Sequence, residues 1–197
     1  DYSQLDSAID SLMPFFRAEN SQTTRHLTEG KQFEFEMGFF DHWHEILDVQ
    51  EGCIKFMIEH LHKTCEREIK TLGGNIIKAP KEVSFPRVTF DQAQEIYYQR
   101  TGIDERSEPD LSPAAASELC KYAQEKFGTD LIFITDWLTS KRPFYAYPTD
   151  GATRLSNTFD LLCGGTEITS GGQRRHTYES MVEGILQKGM DPANFTD

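Results

Sequence analysis

Long apolar runs are missing from this chain. Its hydrophobic stretches are short and interrupted, which excludes a membrane-spanning helix, and the first residues lack the basic-then-apolar layout of a secretory signal. Cations are scarce: 20 Lys and Arg stand against 32 Asp and Glu, a net charge of −12. That deficit argues against a self-sufficient nucleic-acid binder, because phosphate backbones are gripped by clustered Lys and Arg. If RNA is a substrate, another part of the protein must do most of the gripping. Cysteine is sparse. Cys53, Cys65, Cys120 and Cys163 are widely spaced with no C-x-x-C pair, so reduced core thiols are expected rather than disulfides or zinc ligands. Internal repeats and low-complexity tracts are absent too. What is left, 197 residues with 38% hydrophobic content, suffices for one well-buried core or one domain with a sizeable insertion. A cytoplasmic protein with no membrane association is expected.

Residues 1 to 12 are polar with few periodic apolar positions. From Phe33 to Phe39 the order Phe-Glu-Phe-Glu-Met-Gly-Phe alternates, so a half-buried strand would place Phe33, Phe35, Met37 and Phe39 on one face and Glu34 and Glu36 on the other. Phe15 to Ala18 is expected as its antiparallel partner, with Glu19 to Gly30 as a functional loop between them. Apolar residues at steps of three, four and seven predict a long amphipathic helix over residues 41 to 72, bent at Gly52 and ended by Gly73-Gly74. Pro80 and Pro86 suggest an extended link. Thr89 or Asp91 can cap a helix through Arg100, stopped by Gly102. Residues 103 to 112 are a solvated acidic loop. Ser112-Pro113 starts a helix running to Phe127 before Gly128. Strands are predicted at Leu131 to Trp137, Phe144 to Tyr147, Thr158 to Cys163 and Thr166 to Thr169; their short connections favour antiparallel neighbours over crossovers. Thr177 to Lys188 closes the chain as a helix.

Two segments far apart in sequence carry the chemistry. One is Phe16-Arg17-Ala18-Glu19 with Thr24-Arg25-His26-Leu27; the other is Glu167-Ile168-Thr169-Ser170-Gly171-Gly172-Gln173-Arg174. Each sets a fixed cation beside a carboxylate, as an enzyme handling a phosphate ester and a metal requires. On a strand Arg17 and Glu19 would share a face and flank one ligand, and Arg25 and His26 would suit a polyphosphate tail. Glu167 and Ser170 offer a carboxylate and a hydroxyl to a hard divalent cation such as magnesium. Gly171-Gly172 would let the backbone approach a ligand, and Arg174, taken as buried, would need an anionic partner that a small carboxylate substrate supplies. His42 with His44, and His60 with His62, lie two apart on a predicted helix and so diverge; they read as surface histidines. His176 stands beside Arg174 and Arg175 and could border the site.

Phe16 to Glu29 resembles motif 2 of the class II aminoacyl-tRNA synthetases. Phe159-Asp160-Leu161 through Arg174 resembles the amino-acid pocket of their aspartyl and asparaginyl branch, and Thr139-Ser140-Lys141-Arg142-Pro143-Phe144-Tyr145 is similar to the strand between these elements in archaeal-type aspartyl enzymes. The resemblance covers nearly the whole chain in the family's order. It implies an α+β fold, a mainly antiparallel sheet flanked by helices. The chain reads as a partial class II catalytic domain over 1–197 with a helical and loop insertion at about 73–128. No motif 1 and no Gly-x-Gly-x-x-Arg motif 3 occur in it, so a part of a larger enzyme or a shortened paralogue is expected.

The resemblance also implies roles. Arg17 would hold the ATP α-phosphate and the amino-acid carboxylate, Glu19 would lie near adenine with Ala18 beside it, Arg25 and His26 would face the outer phosphates, and Leu27 would line the nucleotide site. Glu167 and Ser170 would bind Mg2+, Ser170 also touching the substrate; Arg174 would grip the substrate's side-chain end. Glu34 would stand near the substrate amino group, while Arg142 and Asp160 would orient the pocket. ATP, Mg2+, aspartate and a tRNA held through a domain outside this chain are the implied ligands, with a homodimer in the full-length enzyme. Gly-Gly-Gln-Arg resembles the aspartyl pattern, whereas Phe-Arg-Ala-Glu-Asn-Ser has an asparaginyl character. The readings carried forward are aspartate activation, asparagine activation or a synthetase-derived asparagine synthetase, and a catalytically silent paralogue acting as a binding or regulatory module.

Overall fold

Leu131-Ile132-Phe133-Ile134 is an uninterrupted apolar run closed by Thr135, and in a computed structural model all five residues are buried, as a strand covered on both faces must be. The structure describes residues 8–18, 27–74, 77–149 and 154–195. The chain divides into two compact units, Asp1–Leu47 and Asp48–Asp197.

The first unit is built on an antiparallel hairpin, β1 (Ala8–Phe16) with β2 (Glu29–Met37), in a register that pairs Phe16 with Glu29 and Leu12 with Phe33. β1 therefore begins well before Phe15, within the segment whose polarity had suggested no element. β2 ends at Met37; Phe39 lies beyond it, fully exposed and with φ 59°. Phe33 is also 51% exposed, so only Phe35 and Met37 of the expected apolar face are partly covered.

The second unit centres on a four-stranded sheet ordered β3 (Arg87–Thr89), β4 (Leu131–Thr135), β5 (Thr158–Cys163), β6 (Thr166–Gly172). β4, β5 and β6 are antiparallel neighbours, but β3 pairs with β4 in parallel, across a crossover of two helices. These are α3 (Phe90–Thr101) and α4 (Pro113–Phe127). Thr89 closes α3 with a full capping box and Ser112 accepts from the Ala115 amide at the start of α4, while Gly102 and Gly128 end them in left-handed conformations. The apolar stripes of α3 and α4 (Phe90, Ala93, Ala116, Leu119, Cys120, Ala123) pack on Ile132, Ile134 and Leu162, and Trp137 completes the cluster. On the opposite face Phe133 meets Phe85 and Phe159.

The helix expected over 41–72 is two helices, α1 (Glu45–Thr64) and α2 (Glu66–Thr71), separated at Cys65. Gly52 does not break it. α1 sets Gln50, whose Nε2 donates to Thr169 Oγ1 at 2.6 Å on β6. Phe144 to Tyr147 is not a strand: Ala146 makes one isolated bridge, to Arg174, and Thr139–Lys141 is a single 3₁₀ turn where a strand was expected. α5 (Tyr178–Gln187), capped by Thr177, follows. All four cysteines are free thiols; only Cys120 is fully buried. Among the described residues no helix is long and apolar enough to cross a membrane.

Candidate active site

In the first unit Arg17 lies just past the end of β1, exposed, with its amide donating to Thr28 O at 2.8 Å and its guanidinium 5.2 Å from the Phe15 ring centre. Ala18 beside it and Leu27 across the hairpin are also exposed. Glu19, Arg25 and His26 lie outside the described residues. Glu34, exposed on β2, accepts from Gln32 Nε2.

In the second unit one local irregularity gathers the acids. A β-bulge at the Leu161/Leu162 step shifts the β5–β6 register, so that Asp160 pairs with Ser170 and Leu162 with Glu167. Cross-strand partners share a face, and residues two apart on β5 share a face, so Asp160, Glu167 and Ser170 all lie on one side of the sheet. Unbulged, a three-residue spacing would have sent Glu167 and Ser170 to opposite sides. The turn joining the strands, Gly164-Gly165, has φ 58° and 82°, the two positive values that a tight hairpin turn demands.

Gly171 and Gly172 serve a different purpose from the expected one. A Cβ at Gly171 would meet the Phe159 ring at 2.8 Å, and one at Gly172 would meet Asn157 O at 2.4 Å and Thr158 Cα at 2.8 Å. The pair lets β6 close on β5 rather than leaving room for a ligand. Gly172→Ala should destabilise the chain by about 1–3 kcal/mol through overpacking. Gly52→Ala, with nothing within 4 Å of its Cβ inside α1, should stabilise it by about 0.5–1 kcal/mol. Urea midpoints of the two variants moving in the same direction would contradict this.

Asp160 is buried, and Arg142 Nη2 stands 2.7 Å from its Oδ1. The contact is close but poorly directed: Nε and Nη2 of Arg142 and Oδ1 of Asp160 are buried without a hydrogen bond. Burial drives the Asp160 carboxyl up to about 7; Arg142 opposes the rise and Glu167 adds to it. The Arg142 guanidinium lies 4.6 Å from the Trp137 ring centre, and Trp137 packs in turn on Phe90. Trp137 was missed as a site neighbour; its place follows a left-handed Asp136, φ 56°, which nothing in the local pattern announces.

Arg174 is exposed rather than buried, its guanidinium 5.5 Å from the Tyr145 ring centre. The buried arginine is its neighbour Arg175, 3% exposed, which donates to Ala146 O at 3.1 Å, Ser180 O at 2.8 Å and Gln187 Oε1 at 3.1 Å. His176 stacks on Tyr147. His42 and His60 are exposed, and His44 and His62 partly so. Among the described residues no three His, Cys, Asp or Glu side chains gather into a metal cluster.

Asp160, Glu167 and Ser170, with Arg142 at Asp160, thus stand together on one face of a mainly antiparallel sheet with helices packed against it. The chain belongs to the class II tRNA synthetases, whose (D, K and N) family model matches residues 9–197. The aspartate–tRNA(Asp/Asn) ligase of Thermus thermophilus is 40% identical over 188 residues, covering 95% of this chain and 43% of that protein. The Archaeoglobus fulgidus ligase of the same name is 41% identical over 182 residues, covering 92% of this chain and 40% of its own length. The aspartyl-tRNA synthetase from Entamoeba histolytica superposes with a TM-score of 0.88 at 30% identity, covering 97% of this chain and 39% of that one. The asparaginyl-tRNA synthetase from Pyrococcus horikoshii, complexed with asparaginyl-adenylate, gives 0.83 at 27%, covering 96% and 43%. This chain thus spans less than half the length of the curated relatives it matches.

Proposed function

We propose that this chain is the catalytic core of an aspartate–tRNA ligase, activating aspartate with ATP to aspartyl-adenylate for transfer to tRNA. The observation that carries the reading is the gathering of Asp160, Glu167 and Ser170 on one face of the sheet, with Arg142 at Asp160. Relatives named as aspartate ligases support aspartate as the substrate.

In this reading the aspartate carboxylate oxygen attacks the α-phosphorus in line, the bond to the bridging oxygen breaks, and pyrophosphate leaves. Arg17 holds the α-phosphate and the attacking carboxylate, bringing them together and neutralising the charge that develops on the phosphoryl oxygens. Glu19, Ala18 and Leu27 line the nucleotide; Arg25 and His26 hold its outer phosphates. Arg174 grips the side-chain carboxylate as a bidentate fork. Glu34 takes the substrate ammonium. Mg2+ fits the donors present, an exposed carboxylate at Glu167 and an exposed hydroxyl at Ser170. When bound it would screen the phosphate charge. Asp160 and Arg142 orient the pocket. Residues 73–128 are read as an insertion in that domain. In this reading the full-length enzyme is a cytoplasmic homodimer that holds tRNA through a domain outside this chain, a division of labour that the net charge of −12 supports.

Asparagine activation is the second reading, favoured by the likeness to the Pyrococcus horikoshii asparaginyl enzyme. Amino-acid-dependent exchange of pyrophosphate into ATP, run with aspartate and asparagine separately, decides between them. Exchange with aspartate is expected, and exchange with asparagine alone removes the first reading. No exchange, with amino-acid binding retained by calorimetry, would point to a silent binding module.

A further inference from the structure

Lys188 caps the end of α5, its backbone amide donating to Gly184 O and Ile185 O. A lysine in that position ordinarily reaches into solvent or toward the carbonyls of its own helix. Here the side chain turns to a turn of chain 48 residues earlier. Nζ donates to Thr139 O at 2.8 Å and to Ser140 O at 2.9 Å, and partial burial holds its pKa below the ordinary lysine value. Those two carbonyls belong to the 3₁₀ turn Thr139–Lys141, which ends at Arg142. Thr139 O is also the acceptor for the Arg142 amide, at 3.2 Å. One carbonyl therefore receives both the residue that enters the pocket and the ammonium that holds the turn. The turn itself is a single 3₁₀ loop with no buried residue; besides Lys188 it is tied by the Thr139 amide to Arg154 O at 2.8 Å and by the Lys141 amide to Leu138 O at 2.9 Å.

We propose that Lys188 is a positioning residue for the amino-acid pocket: by clamping the Thr139 and Ser140 carbonyls it holds the turn that delivers Arg142 onto Trp137 and against Asp160. The proposal rests on the reading of Arg142 and Asp160 as pocket residues. The path is continuous, from α5 through Nζ to the turn, then through the Arg142 guanidinium, 4.6 Å over the Trp137 ring, to the carboxylate opposite Ser170. Methionine matches the length of the lysine stem but donates nothing; arginine can still donate to both carbonyls, though from a planar fork. Charge-neutralising acylation of Lys188 would release the clamp in the same way.

The test uses the 197-residue chain with Lys188→Met and Lys188→Arg. Calorimetry should show aspartate binding weakened by about tenfold in Lys188→Met and recovered to within about threefold in Lys188→Arg, with ATP binding unchanged within about twofold. Wild-type affinity for aspartate in Lys188→Met, or equal losses for aspartate and ATP, would overturn the proposal, since equal losses report general destabilisation. A spectroscopic arm separates this failure from failure of the functional reading. The Arg142 Nε–H resonance, assigned by its disappearance in Arg142→Lys, should be shifted upfield by the Trp137 ring in the wild type and return toward the free-arginine position in Lys188→Met. If the wild-type chain binds no amino acid, the pocket reading falls. The resonance then decides the clamp alone: an upfield displacement lost in Lys188→Met supports it, and one retained rejects it.

Discussion

Arg175→Met should cost the fold about 3–5 kcal/mol, whereas Arg174→Ala, one residue away, should change stability by less than about 0.5 kcal/mol. The methionine fills the space of the arginine stem but leaves Ala146 O and Ser180 O, held at 3.1 and 2.8 Å, without those donors, the first in a buried setting and the second half-buried. Each such group costs about 1–3 kcal/mol. The contact to Glu183, 3.5 Å long to a side chain 63% exposed, adds little to that sum. No relaxation readily heals the site, because Gly184 is flush against it: a Cβ there would sit 2.9 Å from Arg175 Nε and 2.2 Å from Phe144 O. A loss of this size is a large share of the roughly 5–15 kcal/mol that holds a domain together, so α5 and the 144–147 segment should come loose as well. Urea unfolding measures it; a midpoint in Arg175→Met equal to that of the wild type would sink the account. Arg174→Ala should keep that midpoint yet abolish aspartate-dependent pyrophosphate exchange, and unchanged exchange would reject its assigned role.

The two arginines also show where sequence stops being enough. Side by side in Gln-Arg-Arg-His they look alike, and the pattern offered no means of deciding which one is buried. Their fates are set by the bridge of Ala146 to Arg174, which turns one arginine outward and the next inward. That pairing joins segments 28 residues apart and leaves no periodic trace. Local signals fared otherwise. Thr89, Ser112-Pro113, Thr177, Gly102 and Gly128 mark helix ends by chemistry confined to a few neighbours: α3, α4 and α5 begin, and α3 and α4 end, where those residues stand. Gly52 misled because a glycine inside a helix whose flanks are well packed costs only a fraction of what packing supplies. The break came at Cys65, where no glycine or proline stands. β3 has three residues and is paired in parallel through a crossover, so neither its length nor its partner could be read from spacing. At the site, Asp160, Glu167, Ser170 and Arg142 were each legible as chemistry, through the family resemblance. Their gathering was not, because it depends on a bulge that inserts one residue into β6.

Asp160 should impose a pH dependence on stability that is opposite to that of the other carboxylates. Its folded pKa is pushed up from 3.8 to about 7, chiefly by burial. Between those values the folded chain keeps a proton that the unfolded chain has released, so the native state binds more protons and stability falls as pH rises across that window. A rise of that size bounds the effect at about 4 kcal/mol. Asp91, Glu66 and Glu118 behave in reverse: hydrogen bonds from Arg154, Lys70 and Arg100 lower their pKa values, and what they contribute is lost only as acid protonates them. The two effects occupy separate ranges, which makes the Asp160 contribution measurable. Unfolding free energies from pH 5 to 8 should decline in the wild type and stay flat in Asp160→Asn, which keeps a carbonyl acceptor facing Arg142 Nη2 but cannot ionise. A parallel decline in both would mean that the carboxylate is already ionised at pH 5. In that case Arg142 would outweigh burial at the pair, and Asp160 would stand in the pocket as a permanent anion rather than a group that exchanges its proton near neutrality.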